Sequence, residues 1–300
     1  MNRPLLAIAR AMGPKTASIT AAATDRAVIP SATSASASAA ASATGSAAVW
    51  RWLDRTLGAG LMAALVMAAL TALTAWPGEA RAQRATGDGQ AATEQRTLGE
   101  FKGVQTAQLR VVVRQGPVHQ AVVHADRNLL PLLETVVQDG PQGATLLVRW
   151  KAGVSIKPAT APTVTVQAPQ PERLSVLGSG DLIGEALKLT RLQASVQGSG
   201  DVRLTDVAVD ELVLEVKGSG DVAASGQAGK LQARIAGSGD INTGKLRADD
   251  VAVAIAGSGD AVVDAQRTLA VSISGSGNVV HTGPAEPQKA INGSGSVRRR

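Results

Sequence analysis

The chain has 300 residues, no cysteine and a formal net charge of +6. Lack of Cys excludes structural disulfides and thiolate chemistry, so stability has to come from hydrogen-bond ladders and core packing. Beyond Ala82 the charge balance is 23 basic against 21 acidic residues and the only aromatics are Phe101 and Trp150, which gives neither the basic face nor the stacking platforms of a nucleic-acid binder.

Residues 1–50 are rich in Ala, Ser and Thr, with SATSASASAAASATGSAA as the extreme. A segment of that composition cannot bury a core and is expected to be disordered; a translation start near Val49 would remove it. Residues 51–82 read as a secretory signal peptide, with Arg51 and Arg55, the apolar run 57–76 and the small-x-small site Ala80-Arg81-Ala82. Twenty apolar residues can also span a bilayer. The Ala- and Gly-rich run and its cleavage site favour removal after Ala82, leaving a mature part that does not span the membrane. Residues 83–96 read as a linker.

From residue 98 to 177 short alternating strands dominate, at Leu109/Val111/Val113, Ala121/Val123, Leu146/Val148 and Val164/Val166. Gly116-Pro117 and Asp139-Gly140-Pro141 are turn signals. The stretch from Asn128 to Leu133 reads as one helical turn or a bend, and 151–162 as a loop.

A repeat then takes over, covering 174–297. Gly-Ser-Gly occurs seven times, starting at Gly178, Gly198, Gly218, Gly237, Gly257, Gly275 and Gly293, with steps of 20, 20, 19, 20, 18 and 18 residues. The second glycines are Gly180, Gly200, Gly220, Gly239, Gly259, Gly277 and Gly295. Six, four and two residues before each turn stand apolar side chains, for example Leu212, Leu214 and Val216, with polar or small residues between. That alternation marks strands with one buried face. A third apolar position recurs at Leu187, Val207 and Leu246. Each unit therefore predicts strand, glycine turn, strand, bend and short strand. A period this short is too brief for a βαβ unit, which needs about 30 residues, and suits one coil of a right-handed parallel β-helix. One coil cannot bury its apolar face alone; stacking supplies the core. The first unit (Glu172, Leu174, Val176) and the last (Pro287, Lys289, Ile291) depart from the pattern, as end units should. Outward positions such as Arg203, Thr205, Glu215, Lys217, Arg234 and Thr243 would carry any binding specificity.

The slot after each turn holds Asp181, Asp201, Asp221, Asp240 and Asp260, then Asn278 and Ser296. These types share a short side chain that hydrogen-bonds nearby backbone, so turn capping is the favoured role. The alternative is a ladder of carboxylates about 4.8 Å apart that binds Ca²⁺. Calcium-binding β-rolls use a nine-residue Gly-Gly-x-Gly-x-Asp repeat, however, and Asn and Ser discard the charge a cation needs. An enzyme is a third class. Glycosidases need two carboxylates flanking the sugar, whereas this row is uniform and the repeat has no Phe, Tyr or Trp. His119, His124 and His281 are isolated and read as surface histidines rather than zinc ligands.

The order of the pieces resembles the GIN-domain family, the bacterial auto-transporter adhesin head domain. The resemblance runs over 97–297 and rests on Phe101-Lys102-Gly103-Val104, the LRVVVRQG strand, VVHADRNLLPLLETVVQDG, LLVRW, TVTVQAP and the LGSGDL repeat. It implies a β-helical fold, export to the cell envelope and adhesion, and it brings no catalytic residue or cofactor with it. Arg298–Arg300 read as a basic tail with no translocator barrel after it. The expectation is a non-enzymatic exported protein, periplasmic, outer-membrane-associated or extracellular, whose partner is an envelope glycan or protein. A Ca²⁺-stabilised surface module and a carbohydrate-active β-helix are the alternatives.

Overall fold

The computed structural model describes residues 83–300; the readings of 1–50 and 51–82 lie outside the described residues. In chain order the strands are β1 (Gln83–Thr86), β2 (Ala91–Thr97), β3 (Gly103–Thr106), β4 (Arg110–Gln115), β5 (Gln120–Asp126), β6 (Leu133–Gln138), β7 (Thr145–Trp150), β8 (Val154–Lys157) and β9 (Thr163–Ala168). The repeat follows as β10 (Arg173–Gly178), β11 (Leu182–Glu185), β12 (Lys188–Gly198), β13 (Val202–Gly218), β14 (Val222–Gly237), β15 (Ile241–Gly257), β16 (Ala261–Gly275), β17 (Asn278–Thr282), β18 (Pro287–Gly293) and β19 (Ser296–Arg299). A single 3₁₀ turn, Leu130–Leu132, interrupts them at the Asn128–Leu133 bend.

The repeat is a parallel β-solenoid. Gly178, Gly198, Gly218, Gly237, Gly257, Gly275 and Gly293 are successive register partners. One ladder is formed by the residues before each glycine and a second by those after the Asp slot. The inward triplets, from Leu192/Ala194/Val196 to Leu269/Val271/Ile273, are buried, and with Leu187, Val207 and Leu246 they form one continuous core. At about 25 cal/mol per Å² of apolar surface removed from water, these ladders dominate stability.

Three short strands per unit were expected, yet β13 to β16 run unbroken for 17, 16, 17 and 15 residues. The bends keep their inter-coil backbone bonds, so the strand continues around them. Register slips at those bends, between Leu204 and Val207 and between Thr243 and Arg247, absorb the change in coil length. One of the outward assignments also fails. Thr243 points inward and is fully buried, tolerated because its hydroxyl donates to the Val262 carbonyl at 2.9 Å.

The first repeat is not an open end. β10 pairs with β3 and β11 with β4, so residues 103–115 form another layer of the stack. β7 and β9 add the next layer. Antiparallel strands then close this side, β6 on β7, β5 on β9 and β2 on β5. The segment expected as linker, 83–96, therefore carries β1 and most of β2, and the expected loop 151–162 contains β8, which pairs with β1. Asp126 anchors this loop. It is fully buried and accepts the Ala159 N–H at 2.8 Å and the Thr160 N–H at 3.2 Å. Nor are Arg298–Arg300 a free tail, since Ser296–Arg299 forms β19 on β17.

Candidate functional site

Three backbone and side-chain ladders run along the Gly-Ser-Gly-Asp corner. The carbonyl of Gly198 accepts N–H bonds from Ser219 and Gly220 of the next coil at 2.9 and 3.1 Å, and Gly218 does the same for Ser238 and Gly239. In the other direction the Val202 N–H donates to the Asp221 carbonyl and the Val222 N–H to that of Asp240, both at 2.9 Å. Only glycine fits here. Gly218 has φ +134°, and a Cβ on Gly220 would collide with the Gly200 carbonyl oxygen.

The Asp slot adds the third ladder. Asp201 Oδ1 accepts the N–H of Asp221 at 3.0 Å, Asp221 that of Asp240 at 2.9 Å, and Asp240 that of Asp260 at 2.7 Å. Asp260 Oδ1 accepts from both the N–H and the side-chain amide of Asn278, and Asn278 Oδ1 accepts the Ser296 hydroxyl at 2.7 Å. The side chains thus reach the next coil, whereas the sequence reading placed their bonds on nearby backbone. The series of bonds begins at Asp201; Asp181 supplies only its carbonyl, to the Val111 N–H at 2.8 Å. Among the described residues, no three His, Cys, Asp or Glu side chains gather to hold a metal ion.

The broad face made by the pre-glycine strands carries two recesses. One, of about 450 Å³, is floored by Ala252, Ala254, Ala270 and Ser272 between Gln232 and Arg234 on one side and Gln288 and Ala290 on the other. The second, of about 400 Å³, lies where residues 140–143 meet Gln105, Arg173, Ser175, Gln193, Ser195 and Gln197. Ser175 and Ser195 share a 2.9 Å hydroxyl bond there. The single carboxylate lining it, Glu215, is paired with Lys217 at 2.8 Å. A glycosidase would need a second, opposed carboxylate. The rest of the lining offers amide and hydroxyl groups and the Arg173 guanidinium for polar contact. Sequence reasoning missed this recess because its wall comes from a loop far in sequence from the strands it meets, both before it (Gln105) and after it (Arg173 to Gln197).

The three histidines stay apart, but not all lie on the surface. His124 is exposed; His119 packs edge-on against Phe101 at 4.9 Å between ring centres. His281 is 2% exposed, which overturns its surface assignment. It occupies an inward slot of β17, in register with buried Val263.

The model of the family described as "Putative auto-transporter adhesin, head GIN domain" matches residues 100–285, more than half of the chain. The chain belongs to the GIN-domain family. Solved structures share the GIN architecture at low identity. A "putative adhesin" from Bacteroides fragilis is 21% identical with a TM-score of 0.66, over 72% of this chain and 100% of that one. A "putative lipid binding protein" from Parabacteroides distasonis is 22% identical with a TM-score of 0.60, over 73% of this chain and 100% of the other. A "putative adhesin" from Parabacteroides merdae gives 22% and 0.60, over 73% and 99%. At such identities the likeness concerns the GIN fold. No curated protein matches the chain. Among the described residues no helix is long and apolar enough to cross a membrane.

Proposed function

We propose that this chain is an exported, non-enzymatic adhesive protein of the cell envelope, whose solenoid holds a rigid flat face against a glycan or protein partner. The observation that carries the reading is the broad face itself. It is built on strands locked coil to coil, and its two recesses are lined by small, amide and hydroxyl side chains together with Arg173, Arg234, Lys289 and one paired acid. Amides and hydroxyls in fixed positions suit polar recognition without chemistry. Membership of an adhesin-head family supports the same reading. The Asp ladder serves cohesion between coils. Cleavage after Ala82 would leave Gln83, the first residue of β1, as the N-terminus.

Cosedimentation of the full chain with isolated bacterial envelopes tests this. The wild type should pellet with the envelopes. Ala254→Arg with Ser272→Arg fills one recess, and Gln193→Ala with Gln197→Ala strips the other; at least one pair should leave the chain in the supernatant. A wild type that stays soluble, or two variants that both pellet normally, would refute the face as the binding surface.

A further inference from the structure

His281 sits where the solenoid core meets its C-terminal coil. Thr243, Val263, His281 and Arg299 are register partners in four successive coils, so an apolar inward slot gives way to an imidazole and then a guanidinium. The His281 Nδ1 is buried and has no hydrogen-bond partner. Over it lie two cations held by backbone carbonyls. Arg299 Nη2 donates to the Gly283 carbonyl at 2.8 Å, and Lys289 Nζ to that of Val297 at 3.4 Å. The nearest acid on this side, Glu286, is 88% exposed and 3.7 Å from Arg299. On the opposite side β16 presents buried Val263, and the carboxylate of the adjacent Asp264 is taken by the Gln266 amide at 2.8 Å.

We propose that His281 is an acid-sensitive latch on the terminal coil, and that its protonation loosens β18 and β19 from β16 and β17. A second proton would put a charge in a slot that is 2% exposed, beneath the solvent-exposed cations Arg299 and Lys289. A proton carried on Nδ1 would also have no acceptor there. The slot therefore admits the neutral ring, and the charged ring only once β19 and its arginine move away. Burial first, then Arg299 and Lys289, lower the His281 pKa, with Glu286 opposing. The sign follows. The unfolded or undocked imidazole takes its proton near pH 6.5, so docking of the coil is at full strength above that pH and weakens as pH falls below it. Release would uncover the parallel edges of β16 and β17, whose free backbone groups can pair with another extended strand.

Hydrogen–deuterium exchange on the full chain at about pH 7.5 and about pH 5, corrected for intrinsic exchange, reads this directly. Peptides covering 284–300 should lose several-fold more protection at the lower pH than peptides from β13 to β15. His281→Val, which repeats the Val263 of the coil below, should abolish the difference, and Lys289→Gln with Arg299→Gln should reduce it. Equal losses along the wild-type solenoid, or an undiminished acid response in His281→Val, would overturn the latch. Should the valine variant not fold, an NMR titration of wild-type His281 decides: a pKa below the ordinary value supports the latch, and one at or above it refutes it.

Discussion

Asp221 bonds the backbone of the next coil through one oxygen, and an amide can do the same. Asp221→Asn should therefore be nearly neutral, or slightly stabilising, since two unit charges about 4 Å apart repel by about 1 kcal/mol even in water. Asp221→Ala should cost about 1 kcal/mol by orphaning the Asp240 N–H. Thermal melts of the three proteins with and without chelator check this. A Ca²⁺ ladder would instead make Asn as harmful as Ala and the wild type chelator-sensitive. Beside it, Gly220→Ala should cost more than about 1 kcal/mol, because the methyl group meets the Gly200 carbonyl and neither rigid coil can retreat. A variant as stable as the wild type in denaturant titration would contradict that packing. The slot's chemistry was legible from its drift through Asp, Asn and Ser. Its direction was not, because a bond between residues 18 to 20 apart is set by stacking that no single turn displays.

Individual strands divide by which way a side chain points. Leu214, fully buried in β13, should lose about 2 to 5 kcal/mol on truncation to Ala. Its neighbour Glu215 is half-buried and holds only an exposed-side pair with Lys217, so Glu215→Ala should cost less than about 1 kcal/mol. Urea unfolding that gave equal losses would mean the inward phase is misassigned. The β5–loop clamp adds a pH signature. Burial raises the Asp126 pKa, but bonds from the Thr160 backbone and side chain and from the Ala159 and Gly89 N–H groups outweigh it, and the net shift is downward. A depressed carboxylate contributes stability that is present above its unfolded pKa of about 3.9 and lost as pH falls through the folded value. Acid unfolding below about pH 4 should therefore be shallower in Asp126→Asn than in the wild type; parallel curves would remove the carboxylate from the account. The repeat strands were readable because period-two alternation and glycine spacing are local signals. β1 and β8 were not, since QRAT carries little apolar pattern, VSIK alternates over only four residues, and the two strands are defined by pairing across about 70 residues. The recess beside residues 140–143 escaped for the same reason.

At the scale of the whole solenoid, cohesion rests on backbone ladders and one continuous apolar core. The ion pairs are peripheral: Arg114–Glu185, Lys102–Glu172 and Arg267–Asp250 are all largely solvent-accessible. Such pairs are each worth about 0 to 1 kcal/mol. Raising NaCl from about 0.01 M to about 1 M shrinks the screening length from about 30 to about 3 Å. The melting temperature should stay within a few degrees or rise slightly as repulsion along the Asp row is screened. A large fall would show that surface pairs hold the coils together.

The glycine rails also bear on how such a molecule changes length. Every coil presents the same corner to the one above and the one below, and its irregularities are confined to the bends opposite. A duplicated or deleted stretch running from one Gly-Ser-Gly to the next would therefore rejoin in register, leaving the antiparallel closure at one end and the histidine-bearing coil at the other untouched. Each such event would lengthen or shorten the body by one layer, about 4.8 Å. The length of the solenoid body becomes a heritable quantity that recombination between near-identical segments can adjust in whole steps.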